Sequence, residues 1–159
     1  MFSPRQQARQ LFTQAYQAQM RGDLEQAVEL YSRSIDLFPT AEAYTFRGWA
    51  YSFRGEYDQA IEECLRAIEL DPAFGNPYND IGAYLIEKGR LDEAVPWLEK
   101  AAEAPHYASP FFALFNLGRI FERKRQLARA QAQYRRALAS NPGYTPAQRA
   151  LQRIQAQWN

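Results

Sequence analysis

The sequence is poor in the residues on which many functional sites depend. It has one cysteine, Cys64, and one histidine, His106, among 159 residues. A single cysteine excludes an intramolecular disulfide framework, and a single histidine argues against a zinc cluster or a histidine-based catalytic triad. The sequence has no apolar run of the roughly 18–20 residues that a membrane-spanning helix needs, and MFSPRQQARQ lacks the apolar stretch of a secretory signal. We therefore expect a cytoplasmic protein without cofactor, bound metal or membrane insertion.

Net charge is almost absent from the whole chain, but it is unevenly distributed. The 19 basic and 18 acidic residues give a net charge of +1, which excludes a uniformly basic nucleic-acid binder. Residues 1–103 carry 10 basic and 17 acidic residues, whereas residues 104–159 carry 9 basic residues and one acid, Glu122. This asymmetry allows head-to-tail self-association or an acidic partner on the C-terminal third. The asymmetry is equally compatible with a non-functional explanation, in which the solvated helix faces of the two parts have come to carry charges of opposite sign.

Four copies of one pattern run through the chain, and such repeats decide the whole fold. They read RGDLEQAVELYSRSIDLFP, RGEYDQAIEECLRAIELDP, KGRLDEAVPWLEKAAEAP and KRQLARAQAQYRRALASNP. An alanine recurs in them at spacings of 33, 34 and 36 residues, at Ala27, Ala60, Ala94 and Ala130. Two glycine series keep the same register: Gly48, Gly82 and Gly118, and Gly22, Gly55 and Gly89.

Each unit has the periodicity of two helices. In the second half of the first unit, apolar residues follow the i, i+3, i+4, i+7 spacing of one helical face: Leu24, Ala27, Val28, Tyr31 and Ile35. The first half of the fourth unit does the same with Leu114, Leu117, Gly118 and Phe121. No stretch alternates like a half-buried strand, so we predict an all-α chain.

Glycine and proline mark the helices and their ends. A mid-helix glycine costs about 1 kcal/mol relative to alanine, so we interpret the series beginning at Gly48 as points of close helix approach. The series beginning at Gly22 predicts left-handed helix ends. Predicted N-caps before a proline are Ser3, Asn76, Ser109 and Thr145, and Thr40 is predicted to cap without one. Arg125 replaces the joint glycine of the last unit, and Pro96 predicts a slight kink within a continuous helix.

This pattern resembles the tetratricopeptide repeat (TPR) over about residues 8–142. In the second unit the matching positions are Tyr44, Gly48, Tyr51, Ala60, Ala67 and Pro72, and in the fourth they are Leu114, Leu117, Gly118, Phe121, Ala130, Tyr134, Ala137 and Pro142. The resemblance implies a right-handed α-α superhelix of four helix-turn-helix repeats, at about 8–40, 41–74, 75–110 and 111–144. We predict one domain, 1–159, closed by a capping helix over 145–158 whose packed face holds Ala147, Ala150, Leu151, Ile154 and Trp158. The linker at 102–110 is about two residues longer than the others and is expected to loosen or reorient the stack.

The resemblance also implies a concave groove lined by the first helix of each repeat, which binds a peptide or helix of another protein. The N-terminal half of the predicted groove is rich in aromatics: Phe12, Tyr16, Met20, Thr45, Phe46, Trp49 and Phe53. The C-terminal half is more polar: Asn76, Asn79, Asp80, Ala83, Phe112, Phe115, Asn116 and Arg119. We expect Trp49 and Phe53 to serve binding, whereas Phe12 and Phe115 are equally compatible with packing between repeats.

One TPR subclass, the carboxylate-clamp co-chaperones, grips the C-terminal carboxylate of heat-shock chaperones with lysine, arginine and asparagine side chains. The matching positions over the first three repeats are Phe12, Tyr16, Phe46, Asn76 and Asp80. Over the last three they are Thr45, Trp49, Asp80, Phe112 and Asn116. Neither set supplies the cations, and Asp80 would repel a carboxylate. We therefore reject a chaperone-tail partner.

Two alternatives depend on charge. The basic segment contributes Arg123, Lys124, Arg125, Arg129, Arg135 and Arg136, which are suited to an acidic partner or to the phosphates of a nucleic acid. A nucleic-acid role is disfavoured, because these residues are spread around two helices and their joint. The second alternative is a self-assembling scaffold in which the acidic N-terminal part of one molecule meets the basic C-terminal part of another.

No set of residues predicts catalysis, and we expect the protein not to be an enzyme. The paired carboxylates Glu62-Glu63 and Asp92-Glu93 are assigned to the solvated faces of second helices. Cys64 occupies a position where other repeats place tyrosine, which predicts a buried thiol. His106 lies alone in a linker.

Overall fold

The computed structural model describes residues 1–158 and consists over that range of nine α-helices. The nine predicted helices are therefore confirmed. They are α1 Pro4–Met20, α2 Leu24–Leu37, α3 Ala41–Ser52, α4 Tyr57–Leu70, α5 Asn76–Glu87, α6 Leu91–Glu103, α7 Pro110–Arg123, α8 Leu127–Ser140 and α9 Thr145–Trp158. The one extended contact within this range is an isolated parallel bridge between Phe74 and His106.

The helices form four pairs, α1–α2, α3–α4, α5–α6 and α7–α8, stacked in chain order. The second helix of each pair also packs on the first helix of the next, and α9 packs on α8. In addition, α1 contacts α3, α3 contacts α5 and α5 contacts α7. The first helices of successive repeats therefore lie side by side along one surface of the stack, where the predicted groove is expected.

The mid-helix glycines occupy the points where paired helices approach closely. A Cβ atom added to Gly82 would lie 2.3 Å from Cδ2 of Leu98, and one added to Gly118 would lie 2.4 Å from Cε1 of Tyr134. At Gly48 the nearest atom would be the carbonyl oxygen of Ala60, at 3.0 Å. Because no side chain fits in these gaps, the sequence interpretation of this glycine series is confirmed.

The joint between the two helices of each repeat has a left-handed residue. Gly22, Gly55 and Gly89 have φ values of +82°, +74° and +76°, as predicted. In the last repeat the same conformation is adopted by Arg125, with φ of +61°. A residue with a Cβ atom is disfavoured there by roughly 1–2 kcal/mol relative to glycine, so the turn geometry of the repeat is kept at the cost of local strain.

The predicted N-cap residues are confirmed at three of the five positions, Ser3, Thr40 and Ser109. Ser3 forms a reciprocal capping box with Gln6, and the Thr40 hydroxyl accepts from the Ala43 amide. The prediction for Asn76 is wrong, because Gly75 is the N-cap and Asn76 is the first helical residue. Ser109 is the N-cap of α7, but its side chain makes no capping hydrogen bond.

The N-cap prediction for Thr145 is also wrong. Thr145 is the first residue of α9, and the amides of Ala147 and Gln148 donate to the carbonyl of Tyr144. The α9 face buries Ala147, Ala150 and Ile154, as expected of a capping helix. Trp158, predicted on the same face, is 53% exposed. It lies at the last turn of the chain's final helix, beyond the residues that α9 buries against α8.

The long linker does not loosen the stack, so this one of the two sequence expectations is wrong, and a reorientation of the stack stays a prediction. The His106 amide donates to the Ala73 carbonyl at 3.0 Å, and the Gly75 amide donates to the His106 carbonyl at 3.0 Å. These bonds tie the α6–α7 linker to the α4–α5 loop. A Cβ on Gly75 would lie 2.4 Å from Cβ of Tyr107, so the two loops are in close contact. The extra residues therefore add a contact between loops.

Two further sequence predictions are confirmed. Helix α6 continues through Pro96 without interruption, whereas the slight kink expected there stays a prediction. The side chain of Cys64 is fully buried, and burial raises the pKa of its thiol well above the ordinary value. This cysteine is a core residue, as its place in the repeat indicated.

Candidate protein-binding groove

The N-terminal half of the predicted groove is a continuous row of aromatic rings. The Phe46 ring centroid lies 5.1 Å from that of Phe12, 6.0 Å from Tyr16 and 5.9 Å from Trp49, and Trp49 lies 4.9 Å from Phe53. The row crosses from α1 to α3. Tyr16 is 40% exposed and Phe53 is 51% exposed, whereas the rings between them are partly buried.

Three of the predicted groove residues also pack against the interior. Phe12 lies 5.5 Å from the buried ring of Tyr31, and Phe115 lies 5.5 Å from that of Tyr134. Phe46 lies 6.4 Å from Tyr31 and joins the same cluster of buried side chains. These contacts support the packing alternative for Phe12 and Phe115. Trp49 has Phe46 and Phe53 as its neighbouring rings.

Thr45 does not belong to the groove surface, although the sequence analysis placed it there. Its residue is 1% exposed, and its hydroxyl donates to the Ala41 carbonyl at 2.8 Å. A short side chain that bonds back to its own helix turn is easily covered by its neighbours. Met20 is 51% exposed at the end of α1, and Ala83 is half-buried on α5.

An open cavity of about 400 Å³ lies between α3, α5 and α7. Its lining comes from three repeats and the α6–α7 linker: Phe46, Trp49, Asn76, Asn79, Asp80, Tyr107, Ser109 and Phe112. Six of these residues are among the groove residues predicted from the sequence. The cavity therefore brings together rings from the second and fourth repeats with amide and carboxyl groups from the third.

Asp80 is the acidic group of this cavity. Among the described residues, its carboxylate has no basic side chain within 4.0 Å. Burial raises the pKa of Asp80 to about 7, and a hydrogen bond with Asn79 opposes this increase. Asp80 is only half-buried, but a carboxylate partly removed from water and without a cation is costly to ionise, so Asp80 can change its charge near neutral pH.

The other polar groove residues form a chain of hydrogen bonds from α5 to α7. Nδ2 of Asn116 donates to Oδ1 of Asn79 at 3.0 Å, and Nη1 of Arg119 donates to Oδ1 of Asn116 at 3.0 Å. Arg119 also lies 3.7 Å from a carboxylate oxygen of Glu87. Asn116 is buried, so part of the carboxamide capacity that the sequence suggested for a ligand is used to link two repeats.

Sequence reasoning missed Tyr107 and Ser109, which complete the cavity wall. Both lie in the α6–α7 linker, whereas the groove predicted from the sequence includes residues of the first helices only. Burial raises the pKa of the Tyr107 hydroxyl, with a further contribution from the charge of Asp80. The unusual linker length was the available signal, although it was interpreted as a loosening of the stack.

The assignment of Glu63 to a solvated face is wrong. Glu63 is 5% exposed, and its carboxylate accepts a hydrogen bond from Nε of Arg47 at 2.6 Å. Arg47 also donates to the Ser32 hydroxyl at 3.0 Å, so the ion pair connects α4, α3 and α2. Glu62, Asp92 and Glu93 are exposed, as predicted.

Some side chains of the predicted basic patch contact an acidic or aromatic residue, and others are exposed to solvent. Lys124 pairs with Asp92, and the Arg129 guanidinium lies 4.1 Å from the ring centre of Phe121. Arg135 and Arg136 are exposed on α8. A second open cavity, of about 430 Å³, is lined by Arg119, Glu122, Arg123, Arg125 and Arg153. Its one acid, Glu122, is paired with Arg153 at 2.7 Å.

Within residues 1–158, no group of three or more histidine, cysteine, aspartate or glutamate residues has the arrangement of a metal site. In the same range, none of the helices combines the length and the apolar character that crossing a bilayer requires.

Four matches to models of the tetratricopeptide repeat together extend across most of the chain. They cover residues 11–41, 41–74, 78–104 and 111–144. Among curated proteins, the chain is similar to the small glutamine-rich tetratricopeptide repeat-containing protein 2 of Mycosarcoma maydis. The identity is 35% over 97 residues, which are 60% of this chain and 28% of that protein. The chain thus spans less than a third of the length of this relative.

Two solved structures share the fold. One, described as a functional characterization of Pseudomonas aeruginosa pilF, has a TM-score of 0.90 at 20% identity and covers 97% of this chain and 70% of the other. The other is PilW, described as a widely conserved type IV pilus biogenesis factor, with a TM-score of 0.85 at 24% identity over 94% of this chain and 69% of that one. The repeat pattern, the stack of nine helices in the described residues and these matches agree with one another. The chain belongs to the tetratricopeptide repeat family, forms the all-α superhelix of that family and has the architecture of a protein-interaction adaptor.

Proposed function

We propose that this protein is a non-enzymatic, cytoplasmic adaptor that holds an extended or helical segment of a partner protein in the groove of its first helices. The observation that carries the proposal is the cavity of about 400 Å³, where groove residues from three repeats meet. Such a cavity can receive side chains of a bound segment, and the aromatic row from Phe12 to Phe53 extends the contact surface along the stack. The whole chain, 1–159, acts in this proposal as a single domain.

Trp49 is the residue on which we expect binding to depend most. Its ring lines the cavity, lies between Phe46 and Phe53 and is only partly buried. Large rigid rings that become fully desolvated on binding contribute a large share of interface energy. Phe46 is less suitable as a test, because it also packs on Phe12 and on the buried Tyr31.

The carboxylate of a chaperone tail remains an unsuitable ligand in this proposal. The groove positions that would need cations hold aromatic or neutral polar residues or, at Asp80, an acidic one. Arg119, the basic residue predicted for the groove, is already bonded to Asn116 and lies near Glu87. An anionic terminus would meet Asp80 without a compensating charge.

The test is an affinity pull-down from a lysate of the native organism with three baits: wild type, Trp49→Ala and Trp158→Ala. Trp158 is a matched control, because it is also a partly exposed tryptophan but lies on α9, away from the cavity. We expect one set of proteins to be recovered by wild type and Trp158→Ala and lost by Trp49→Ala. Circular dichroism and the free energy of unfolding check that the lost binding is not lost folding.

Recovery of the same proteins by all three baits would contradict the groove proposal. The basic C-terminal surface would then be the second candidate, supported by the exposed arginines around the cavity of about 430 Å³. A partner on that surface, acidic protein or nucleic acid, should bind more weakly as salt rises and after charge reversal at Arg123 and Arg125. Self-assembly by opposite charges should instead give a mass that falls to that of a monomer at high salt.

A further inference from the structure

We propose that the cavity between α3, α5 and α7 receives a lysine or arginine side chain of the bound segment. The cationic head would pair with Asp80, and its methylene stem would lie against Trp49, Phe46 and Phe112. This inference rests on the proposed groove function and names the chemistry of one residue that the groove selects. Two observations support it: the residues that line the cavity, and the absence of an ion pair at Asp80 among the described residues.

The cavity combines one carboxylate with aromatic rings on three sides. Phe46 and Trp49 line it from α3, Phe112 from α7 and Tyr107 from the linker, while Asp80 lines it from α5. Aromatic faces attract cations, more strongly where water is excluded, and long basic side chains bury their methylene stems along apolar surface. A wall of this composition fits a basic side chain better than an apolar one, which would leave Asp80 without a partner.

The protein does not supply this cation itself. Within the described residues, Asp80 has no ion pair, and both Arg47 of α3 and Arg119 of α7 are engaged elsewhere. Arg47 pairs with Glu63 and bonds to Ser32. Arg119 donates to Asn116 and lies 3.7 Å from Glu87. The charge of Asp80 is therefore available to a ligand.

The titration of Asp80 predicts how the affinity for a basic side chain changes with pH. Its pKa of about 7 means that the carboxyl is largely neutral at about pH 5.5 and ionised at about pH 8. Cys64 of α4, Tyr84 of α5 and Tyr107 of the linker interact with this charge, and burial raises the pKa of each, so they stay neutral in this range. A cationic ligand should consequently bind more tightly at the higher pH and displace a proton from Asp80.

The experiment selects a displayed library of random linear peptides on wild type, Asp80→Asn, Glu69→Gln and Trp49→Ala. Asp80→Asn keeps the shape of the side chain and removes its charge. Glu69→Gln removes one negative charge from an exposed position on α4 and is the matched control. Because Asp80→Asn removes the cost of ionising a partly buried group, it should not lower the free energy of unfolding at about pH 8.

We expect wild type and Glu69→Gln to select peptides with a lysine or arginine at one fixed position. Asp80→Asn should still select peptides but without that basic residue, and Trp49→Ala should select none of them. For a peptide chosen by wild type, Asp80→Asn should weaken binding by about tenfold or more at about pH 8. Replacing the basic residue by norleucine should weaken binding to wild type but not to Asp80→Asn.

The pH dependence supplies an independent readout. Wild type should bind the selected peptide more tightly at about pH 8 than at about pH 5.5, and Asp80→Asn should not. The Asp80→Asn variant still contains the exposed His106, which neighbours Tyr107 in the linker. Any pH dependence of binding that persists in Asp80→Asn therefore comes from a group other than Asp80.

Two results would overturn the inference while leaving the groove function intact. One is a wild-type selection without a basic residue that is still lost in Trp49→Ala. The other is the same basic preference in Asp80→Asn. If wild type and Trp49→Ala select the same peptides, or if wild type selects none, the groove function and this inference fail together.

Discussion

At the scale of single residues, the glycines inside α3, α5 and α7 set how closely the two helices of a repeat approach. Gly118 is the clearest case, because the ring of Tyr134 occupies the space that a Cβ would need. Tyr134 is fully buried, and its hydroxyl donates to Glu122 at 2.8 Å, so the ring cannot move without loss. The helix thus tolerates a residue of low helix propensity in return for close packing.

We predict that Gly118→Ala lowers the free energy of unfolding by up to about 2 kcal/mol, measured by urea denaturation. The strain of overpacking, about 1–3 kcal/mol, outweighs the gain of about 1 kcal/mol in helix propensity. Gly143→Ala is the matched control, because the nearest atom to its added Cβ would be 3.9 Å away. An equal or smaller loss for Gly118→Ala than for Gly143→Ala would contradict this explanation of the glycine.

The residue scale also shows what the sequence can and cannot predict. The roles of Gly48, Gly82 and Gly118 follow from their position in the repeat, because close approach within a repeat is a local property. The burial of Glu63 could not be predicted in this way, since the helical pattern assigns it to a polar face. Arg47 of α3 donates both to Glu63 and to Ser32 of the preceding repeat, and only the packed structure brings the three side chains together.

At the scale of elements, the Arg47–Glu63 pair connects consecutive repeats. We predict that Glu63→Gln lowers the free energy of unfolding by about 3 kcal/mol, because it leaves the charge of Arg47 buried without a counterion. The side chains of Arg47 and Glu63 are 14% and 7% exposed, so solvent cannot compensate. Glu62→Gln, one residue earlier on the exposed face, should change stability by less than about 0.5 kcal/mol. Chemical denaturation of both variants checks the difference, and similar values would exclude a structural role for the pair.

The capping helix α9 is held partly by Glu122, whose carboxylate accepts from Nε and Nη2 of Arg153 at 2.7 and 2.8 Å. The hydrogen bond from Arg153 is the largest cause of the lowered pKa of Glu122. A lowered pKa means that the stabilisation is present above the ordinary pKa of glutamate and is lost as the pH falls through the lower folded value.

We therefore predict that Glu122→Gln lowers the free energy of unfolding by about 1 kcal/mol near neutral pH and speeds hydrogen exchange in α9. The difference from wild type should shrink as the pH falls below the ordinary pKa of glutamate and through the lower pKa of folded Glu122, because the wild-type carboxylate then becomes protonated. Glu99→Gln, at an exposed position of α6, is the control for lost negative charge. A difference that is constant down to acid pH would show that the charge of Glu122 does not hold α9.

Element boundaries and loops account for most of what the sequence did not predict. The helix count, the left-handed joints and the continuity of α6 through Pro96 follow from local patterns. The start of α5 at Asn76 and the path of the α6–α7 linker depend on contacts between loops. The linker brings Tyr107 and Ser109 into the cavity through the bonds of His106 to another repeat, which no periodicity in the chain encodes.

At the scale of the whole molecule, the stack creates a surface that no single repeat possesses. Trp49, Asp80 and Phe112 come from three repeats and line one cavity. Because the repeat pattern fixes which helix face is turned to the groove, the sequence could predict most of the lining. It could not predict that Asn116 would be buried and bonded to Asn79, since that contact depends on the spacing between repeats.

The measurement that tests the groove most directly is the affinity of a recovered partner segment for wild type, Trp49→Ala and Trp158→Ala, by calorimetry. We predict that Trp49→Ala loses about 2 kcal/mol or more, roughly 30-fold in affinity, while Trp158→Ala binds like wild type and all three proteins remain folded. Equal affinity of wild type and Trp49→Ala for that segment would contradict the account, because the aromatic groove would then serve packing and not recognition.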